Sequence, residues 1–124
     1  MKKYITGDLL HYKICNAKYL IEVTNTSKHG YCFKGVKDNF NGVICDEFIE
    51  DIPLTPEILE KNGWKKDKDG YFNDSYHIRL CESSTNYAAY KVVNKSIVWL
   101  RAVENVPDLQ HLLFGLDISL KIEV

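Results

Sequence analysis

Apolar and polar residues alternate along the first third of the chain. The run from Leu10 to Ile14 has an apolar residue at every second position, and similar runs follow over residues 19–23 and 31–34. Alternation built from tyrosine, valine and isoleucine is typical of half-buried strands. A fourth short strand is predicted over residues 42–45. Short antiparallel strands this closely spaced bury one face best as a small SH3-like barrel or a twisted sheet.

Two short helices are predicted from their terminal residues. Thr55 is a good N-cap, and Pro56 fits the first helical position, where its missing N–H costs nothing. Gly63 can adopt the left-handed conformation that ends a helix. A second helix is predicted to begin at Asn105 or Val106 and to end at Gly115, with Pro107 in its first turn and apolar residues near helical spacing. The first helix spans only about two turns, so its apolar side must pack against other elements.

Strand patterns return between the two helices. The residues from Tyr76 to Leu80 alternate, and runs over 87–93 and 96–103 flank Asn94-Lys95, which predicts a tight hairpin. Residues 65–70 carry several charges and a glycine, and they are expected to form a turn.

The order of these elements predicts the fold class. After the second helix, alternation from Ile118 to Val124 indicates one last strand. We expect an α+β chain, mostly antiparallel, with an N-terminal barrel or twisted sheet, a short helix, a β-meander and a C-terminal short helix. The length suits a single domain over residues 1–124, with a β subregion over 1–53 and the remaining elements over 54–124.

The charge of the chain argues against a protein built to bind duplex DNA. The 124 residues carry a formal net charge of −1, whereas duplex-binding domains are basic. Residues 1–37 nevertheless hold seven lysines against Asp8 and Glu22, and residues 38–51 hold five carboxylates and no base. A basic N-terminal barrel with tyrosines between its lysines leaves single-stranded nucleic-acid binding as an alternative function.

The N-terminus and the cysteines predict a cytoplasmic protein. Gly7, Asp8 and His11 interrupt the apolar stretch that would have to follow Met1-Lys2-Lys3 in a signal peptide. No run approaches the eighteen or so apolar residues that a membrane span needs. Without a secretory signal, the four widely spaced cysteines are expected to be free, buried thiols.

The sequence contains no catalytic or metal-binding motif. The cysteines lack zinc-finger spacing and the four histidines lie far apart, and there is no serine elbow, P-loop or dinucleotide fingerprint. We therefore expect a protein that is not an enzyme, holds no metal and uses no cofactor. A small-molecule or nucleotide-binding protein or enzyme, with a composite site built from distant residues, is a further alternative.

Three segments carry a resemblance to a known family. Residues 52–64 read IPLTPEILEKNGW, residues 108–116 read DLQHLLFGL, and a glycine-aspartate pair opens the first strand at Gly7-Asp8. These segments are similar in order and spacing to the PLTPEILEKNGF and HELQHLLFGLG elements of short uncharacterised proteins from bacterial prophages and mobile elements. The resemblance implies an origin in a phage or mobile element and a place in the cytoplasm of a bacterial host, and it implies no activity.

The C-terminal element of that family contains a His-Glu-x-x-His spacing, which can place two imidazoles for zinc. In this chain Pro107 stands in place of the first histidine and Asp108 in place of the glutamate. A lone His111 cannot hold a zinc ion. The resemblance therefore implies no metal site here.

These observations favour a small interaction protein that binds a protein partner. Its tyrosine content supports this hypothesis weakly, because tyrosine anchors interfaces at low entropic cost. The predicted contact residues are strand positions that face away from the core, namely His11, Lys13, Arg79 and Tyr90. No membrane partner is expected.

Overall fold

The computed structural model describes residues 4–28, 30–119 and 121–124. The described residues form two α-helices and two five-stranded antiparallel sheets, so the predicted α+β class is confirmed. They divide into two compact units, Met1–Ile52 and Pro53–Val124. Each unit contains one of the sheets.

The first unit contains five strands and one short 3₁₀ turn. In chain order they are β1 (Leu9–Ile14), β2 (Ala17–Ser27), β3 (Gly30–Gly35), β4 (Asn41–Ile44), the 3₁₀ turn (Asp46–Phe48) and β5 (Ile49–Asp51). The spatial order is β4-β3-β2-β1-β5, with every neighbouring pair antiparallel.

The predicted SH3-like barrel does not form among the described residues. The strands β4 and β5 are the two edges of the sheet, and each pairs on one side only, with β3 and β1 respectively. They are the shortest strands of the unit, four and three residues long, and they pair with different neighbours, so the sheet stays open. The described strands form an open five-stranded sheet instead.

Aliphatic and aromatic side chains form the core of the first unit. The alternation of the first strands places Leu10, Ile21 and Phe33 on one face, where each is buried. The rings of Tyr12 and Phe40 pack edge-on against Phe33, with centroid distances of 5.5 and 5.6 Å. This edge-to-face geometry is the preferred arrangement for aromatic pairs.

The second unit contains both helices and the meander. Its elements are α1 (Pro56–Lys61), β6 (Lys65–Asp67), β7 (Gly70–Asn73), β8 (Ile78–Glu82), β9 (Tyr87–Val93), β10 (Ser96–Val103) and α2 (Val106–Gly115). Its strands lie in the order β10-β9-β8-β7-β6, which is the predicted meander. The hairpin of β9 and β10 around Asn94-Lys95 has the predicted bounds.

Both helices begin with a side-chain cap, and Thr55 is the one predicted from the sequence. The Thr55 hydroxyl accepts a hydrogen bond from the Ile58 N–H at 3.3 Å, and the Asn105 side chain accepts one from the Asp108 N–H at 2.9 Å. Such bonds satisfy N–H groups that have no partner within the helix. Gly63 follows α1 with a φ of 89°, in the left-handed region that glycine tolerates.

One face of the second sheet is buried. Tyr71, Leu80 and Ala89 lie opposite one another on three neighbouring strands, and each is at most 1% exposed. The helix α1 lies next to β6 and α2 next to β10, and α2 carries four buried aliphatic residues. We infer that the helices cover this face and leave the opposite face of the sheet open.

Two parts of the sequence prediction for this unit are wrong. Residues 65–70 are mostly strand, because the chain reverses within the two residues at 68–69, where the Asp67 carboxylate accepts the N–H groups of Asp69 and Gly70. The last strand is absent from residues 118–119 and 121–124, and Leu120 lies outside the described residues. The Asn62 side chain instead bonds both main-chain groups of Glu123, each at 2.7 Å.

The burial of one sheet face predicts that substitutions on the two faces have different effects on stability. Leu80→Ala on the buried face should lower the free energy of unfolding by about 2–5 kcal/mol, because it removes apolar contacts and leaves a cavity. Val92→Ala on the opposite face should lower it by less than about 1 kcal/mol. Urea unfolding followed by circular dichroism measures both. Equal losses for the two variants would contradict the assignment of the faces.

Candidate binding site on the second sheet

Four side chains form a row across the open face of the second sheet. The register places Phe72 opposite Arg79, Arg79 opposite Tyr90, and Tyr90 opposite Trp99. We call Phe72, Arg79, Tyr90 and Trp99 the cross-strand row. Because neighbouring strands lie about 4.8 Å apart, the row spans about 14 Å. Arg79 and Tyr90, two of the residues predicted from the sequence, are thus brought together.

The cross-strand row is accessible to solvent. Trp99 is 60% exposed, and Ile97, which lies two residues earlier on the same face of β10, is 64% exposed. The other three members are half-buried. Large apolar side chains that are this exposed and this close together are typical of an interaction surface.

Arg79 is held in place by two neighbours. Its Nη1 atom donates a hydrogen bond to Asp67 Oδ2 at 2.6 Å, and its guanidinium carbon lies 5.1 Å from the centroid of the Phe72 ring. The ring face attracts the cation, and the carboxylate fixes its orientation. A guanidinium positioned before binding loses less conformational entropy when it meets an acceptor.

This contact changes the pKa of the Asp67 carboxyl group. The hydrogen bond from Arg79, together with the N–H groups of Asp69 and Gly70, lowers the pKa of Asp67 below its usual value. The ion pair therefore persists across the neutral range. It is half-exposed, so it adds little to stability, and its main effect is on the position of Arg79.

The other two predicted contact residues, His11 and Lys13, lie on the first unit and do not join the row. His11 lies opposite Glu50 across β1 and β5, and Lys13 Nζ lies 3.1 Å from Glu50 Oε2. Lys18 contacts the other Glu50 oxygen at 2.9 Å. These two lysines lower the pKa of Glu50, and the carboxylate neutralises part of their charge.

His11 is poorly placed for contact with a ligand. Its Nδ1 atom is buried and has no hydrogen-bond partner within the described part of the chain. Burial is the largest cause of its lowered pKa, Lys18 lowers it further, and Glu50 opposes the change. The imidazole is thus biased toward its neutral form.

Most of the described aromatic rings near the N-terminal lysines are buried or half-buried, although Tyr19 is 37% exposed. Phe33 is buried in the core. Tyr19 packs its ring against Phe40 at 5.7 Å. Lys34 lies within 3.9 Å of Glu22, so part of its charge is also compensated.

The described residues contain no group of three or more histidine, cysteine, aspartate or glutamate side chains placed to hold a metal ion. All four cysteines are free, as expected, but none is buried: Cys15 and Cys45 are exposed, and the other two are half-buried. Their positions on the surface follow from strand alternation and turns that place them away from the core.

Each unit has a concave region on its surface. A groove of about 730 Å³ in the first unit is lined by residues that include Tyr4, Tyr31 and Asp46. A smaller one of about 330 Å³ in the second unit lies along the polar loop 83–86. The described lining of both contains no histidine, so neither brings an imidazole to a cysteine or a serine.

No protein-family model, curated protein or solved structure matches this chain. Neither helix of the described residues is long and apolar enough to cross a membrane.

Trp99 and Phe72 were not among the contact residues predicted from the sequence. Phe72 lies on β7, within the region that follows the expected charged turn, and Trp99 lies in an apolar run of the final hairpin. A two-residue turn at Asn94-Lys95 pairs Trp99 with Tyr90, so the predicted hairpin could have identified Trp99 as a neighbour of Tyr90.

The contact between Arg79 and Asp67 leads to a prediction about the pKa of Asp67. Arg79→Ala should raise the pKa of Asp67 toward its usual value, because the largest cause of the lowered pKa is removed. In the unmodified chain the pair's contribution to stability is complete above the unfolded-state pKa of aspartate and is lost as the pH falls through the lower folded-state pKa. An NMR titration of the Asp67 carboxyl carbon measures this change.

The matched control for this titration is Arg101→Ala. Arg101 pairs with Asp108, with an Nη2–Oδ1 distance of 3.3 Å, so its removal should leave the Asp67 pKa unchanged. An Asp67 pKa that does not move in Arg79→Ala would show that the pair is not formed in solution.

Proposed function

We propose that this chain is a small, non-enzymatic interaction protein that binds a protein partner through the open face of its second sheet. The cross-strand row is the observation that carries the proposal. Tryptophan, tyrosine and arginine are the residue types that most often dominate the energy of protein interfaces, and Trp99, Tyr90 and Arg79 lie next to one another here.

The scaffold beneath the row supports this proposal. Three members of the row lie on β7, β8 and β9, whose other face is buried, so these side chains are held by a packed sheet. Phe72 lies beneath the Arg79 guanidinium and limits the orientations that it can take. A partner would meet an ordered surface and would lose little binding energy to the ordering of side chains.

The chemistry of the row also indicates what the partner must offer. Trp99 and Ile97 need an apolar surface to cover them. Arg79 has one hydrogen bond to Asp67 among the described residues, and a guanidinium has five N–H donors in total. A partner with carbonyl or carboxylate oxygens beside an apolar patch therefore fits this face.

A protein partner fits the row better than single-stranded nucleic acid. Its aromatic rings could stack on bases, but of the two cations in line across these strands Arg79 already contacts the Asp67 carboxylate, which leaves Lys65, opposite Phe72, as the exposed one. Nucleic-acid affinity depends on uncompensated positive charge that replaces counterions on the phosphates. The resemblance to prophage and mobile-element proteins suggests a partner from the cytoplasm of a bacterial host.

The proposal predicts a binding defect in variants of the row. The immobilised chain should retain a specific protein from bacterial lysate, and Trp99→Ala should weaken binding of the purified partner by about thirty-fold or more, which corresponds to about 2 kcal/mol. Arg79→Ala should weaken it by about ten-fold. Quantitative mass spectrometry and isothermal titration calorimetry measure retention and affinity.

Phe114→Ala is the matched control for the loss of an exposed ring. Phe114 is 74% exposed, but it lies on α2 and outside the row, so its removal should leave the affinity unchanged. Retention that is equal for the unmodified chain, Trp99→Ala and Phe114→Ala would contradict the proposal. Circular dichroism confirms that each variant is folded.

A separate titration tests the nucleic-acid alternative. Fluorescence anisotropy of labelled single-stranded DNA and RNA at about 50 mM salt should show no saturable binding, because Lys13, Lys18, Lys34 and Arg79 each contact a carboxylate. Saturable binding that weakens steeply with salt and is lost in Trp99→Ala would assign the row to nucleic acid.

A further inference from the structure

Between Ser96 and Leu100 the edge of β10 has no charged or proline residue to protect it against pairing, and the one irregularity in its ladder with β9 lies at the end of this segment, between Trp99 and Arg101. Among the described residues β10 pairs only with β9 and lies at the end of the sheet. Edge strands are normally protected by charged side chains, proline or a very short length. The segment Ser96–Leu100 has none of these features, and Val98 is 50% exposed on the face opposite Ile97 and Trp99.

The hydrogen bonding of β9 shows which groups of β10 face the open edge. The Val92 N–H donates to the His77 carbonyl at 2.8 Å and so points away from β10. In an antiparallel ladder, opposite residues alternate between pairs that exchange hydrogen bonds and pairs that do not. Ile97, which lies opposite Val92, therefore directs its N–H and C=O outward. Two residues later, Trp99 does the same.

We infer that β10 pairs antiparallel with β10 of a second copy of this chain, about a two-fold axis at Val98. In this register Ile97 lies opposite Trp99 of the second copy, and Trp99 lies opposite Ile97 of the second copy. The outward main-chain groups of these residues then form about four hydrogen bonds, two for each pair. The two sheets become one continuous ten-stranded sheet.

The side chains favour this register over its neighbours. On the open face, tryptophan meets isoleucine twice, an aromatic and β-branched combination that stabilises cross-strand pairs. On the other face, Val98 meets Val98 of the second copy. A shift of two residues in one direction would place Trp99 opposite Lys95, and a shift in the other direction would place Ile97 opposite Arg101.

The irregularity in the ladder with β9 limits the paired segment. The register of β10 shifts between Trp99 and Arg101, and such a bulge bends a strand away from regular pairing. Pairing is therefore confined to about five residues of each copy. Interfaces this small bury less than about 1,200 Å² and are weak, so we expect a monomer–dimer equilibrium with a micromolar dissociation constant.

This inference does not rest on the proposed function, because its main-chain pairing uses the edge of β10, although the Trp99 and Ile97 side chains belong to both surfaces. The experiment is sedimentation velocity of the full chain at concentrations of about 5–500 µM. This range includes concentrations near the expected micromolar dissociation constant. The unmodified chain should shift from monomer to dimer across this range. Val98→Lys should weaken the dimer at least ten-fold, because it places two ammonium groups opposite one another at the two-fold axis.

Val43→Lys is the matched control. Val43 is 65% exposed on β4, the edge strand of the other sheet, so the same substitution there should leave the equilibrium unchanged. A monomer at all concentrations would overturn the inference, as would a dimer that withstands Val98→Lys or is lost in Val43→Lys. The Arg79→Ala variant should dimerise normally although its binding to the partner is weakened. This difference separates the test of the dimer from the test of the proposed function.

Amide hydrogen exchange of the unmodified chain provides a test that does not depend on how a variant folds. At high protein concentration the N–H groups of Ile97 and Trp99 should exchange at least five-fold more slowly than at low concentration. The Val98 N–H, which faces β9, should change much less. If protein concentration changed the exchange rates of all three amides equally, or changed none of them, the result would contradict the register and the inference.

Discussion

Tyr71, Leu80 and Ala89 lie opposite one another on the buried face of the second sheet, and the removal of their apolar surface from water fixes the orientation of these strands. Successive side chains of a strand point to opposite faces. Burial of this row therefore places Phe72, Arg79 and Tyr90 on the other face. A register slip of one residue would bury Arg79 and expose Leu80, and the cost of both changes excludes it.

This constraint determines which side chains the open face presents. The helices supply apolar side chains to one side of the sheet, and the hairpin extends the sheet to Trp99 and Ile97 beyond Tyr90. The same hairpin ends the sheet with β10, whose outward main-chain groups and exposed side chains suit a second strand. The open face and the open edge thus arise from one arrangement, a meander that is covered on one side and whose β10 edge carries no charged or proline residue over Ser96–Leu100.

The parts of this arrangement that depend on local chemistry could be predicted from the sequence. Thr55, Gly63 and the Asn94-Lys95 turn act within a few residues, so the helix ends and the hairpin were predicted correctly, and alternation alone placed Arg79 and Tyr90 on an outward face. The rest depends on distant residues. The tail is held by the side chain of Asn62, which no local pattern reveals, and Phe72 joins the row through pairing with β8. The open N-terminal sheet likewise depends on which strands its short edges pair with.

The exposure of the two tryptophans tests the central claim most directly. Trp64 is buried, whereas Trp99 lies on the open face. In an NMR spectrum of the dilute ¹⁵N-labelled chain, a soluble paramagnetic agent should strongly broaden the indole N–H signal of Trp99 and leave that of Trp64 sharp. Equal protection of both indoles would contradict an open face on the second sheet, and with it the binding site proposed there.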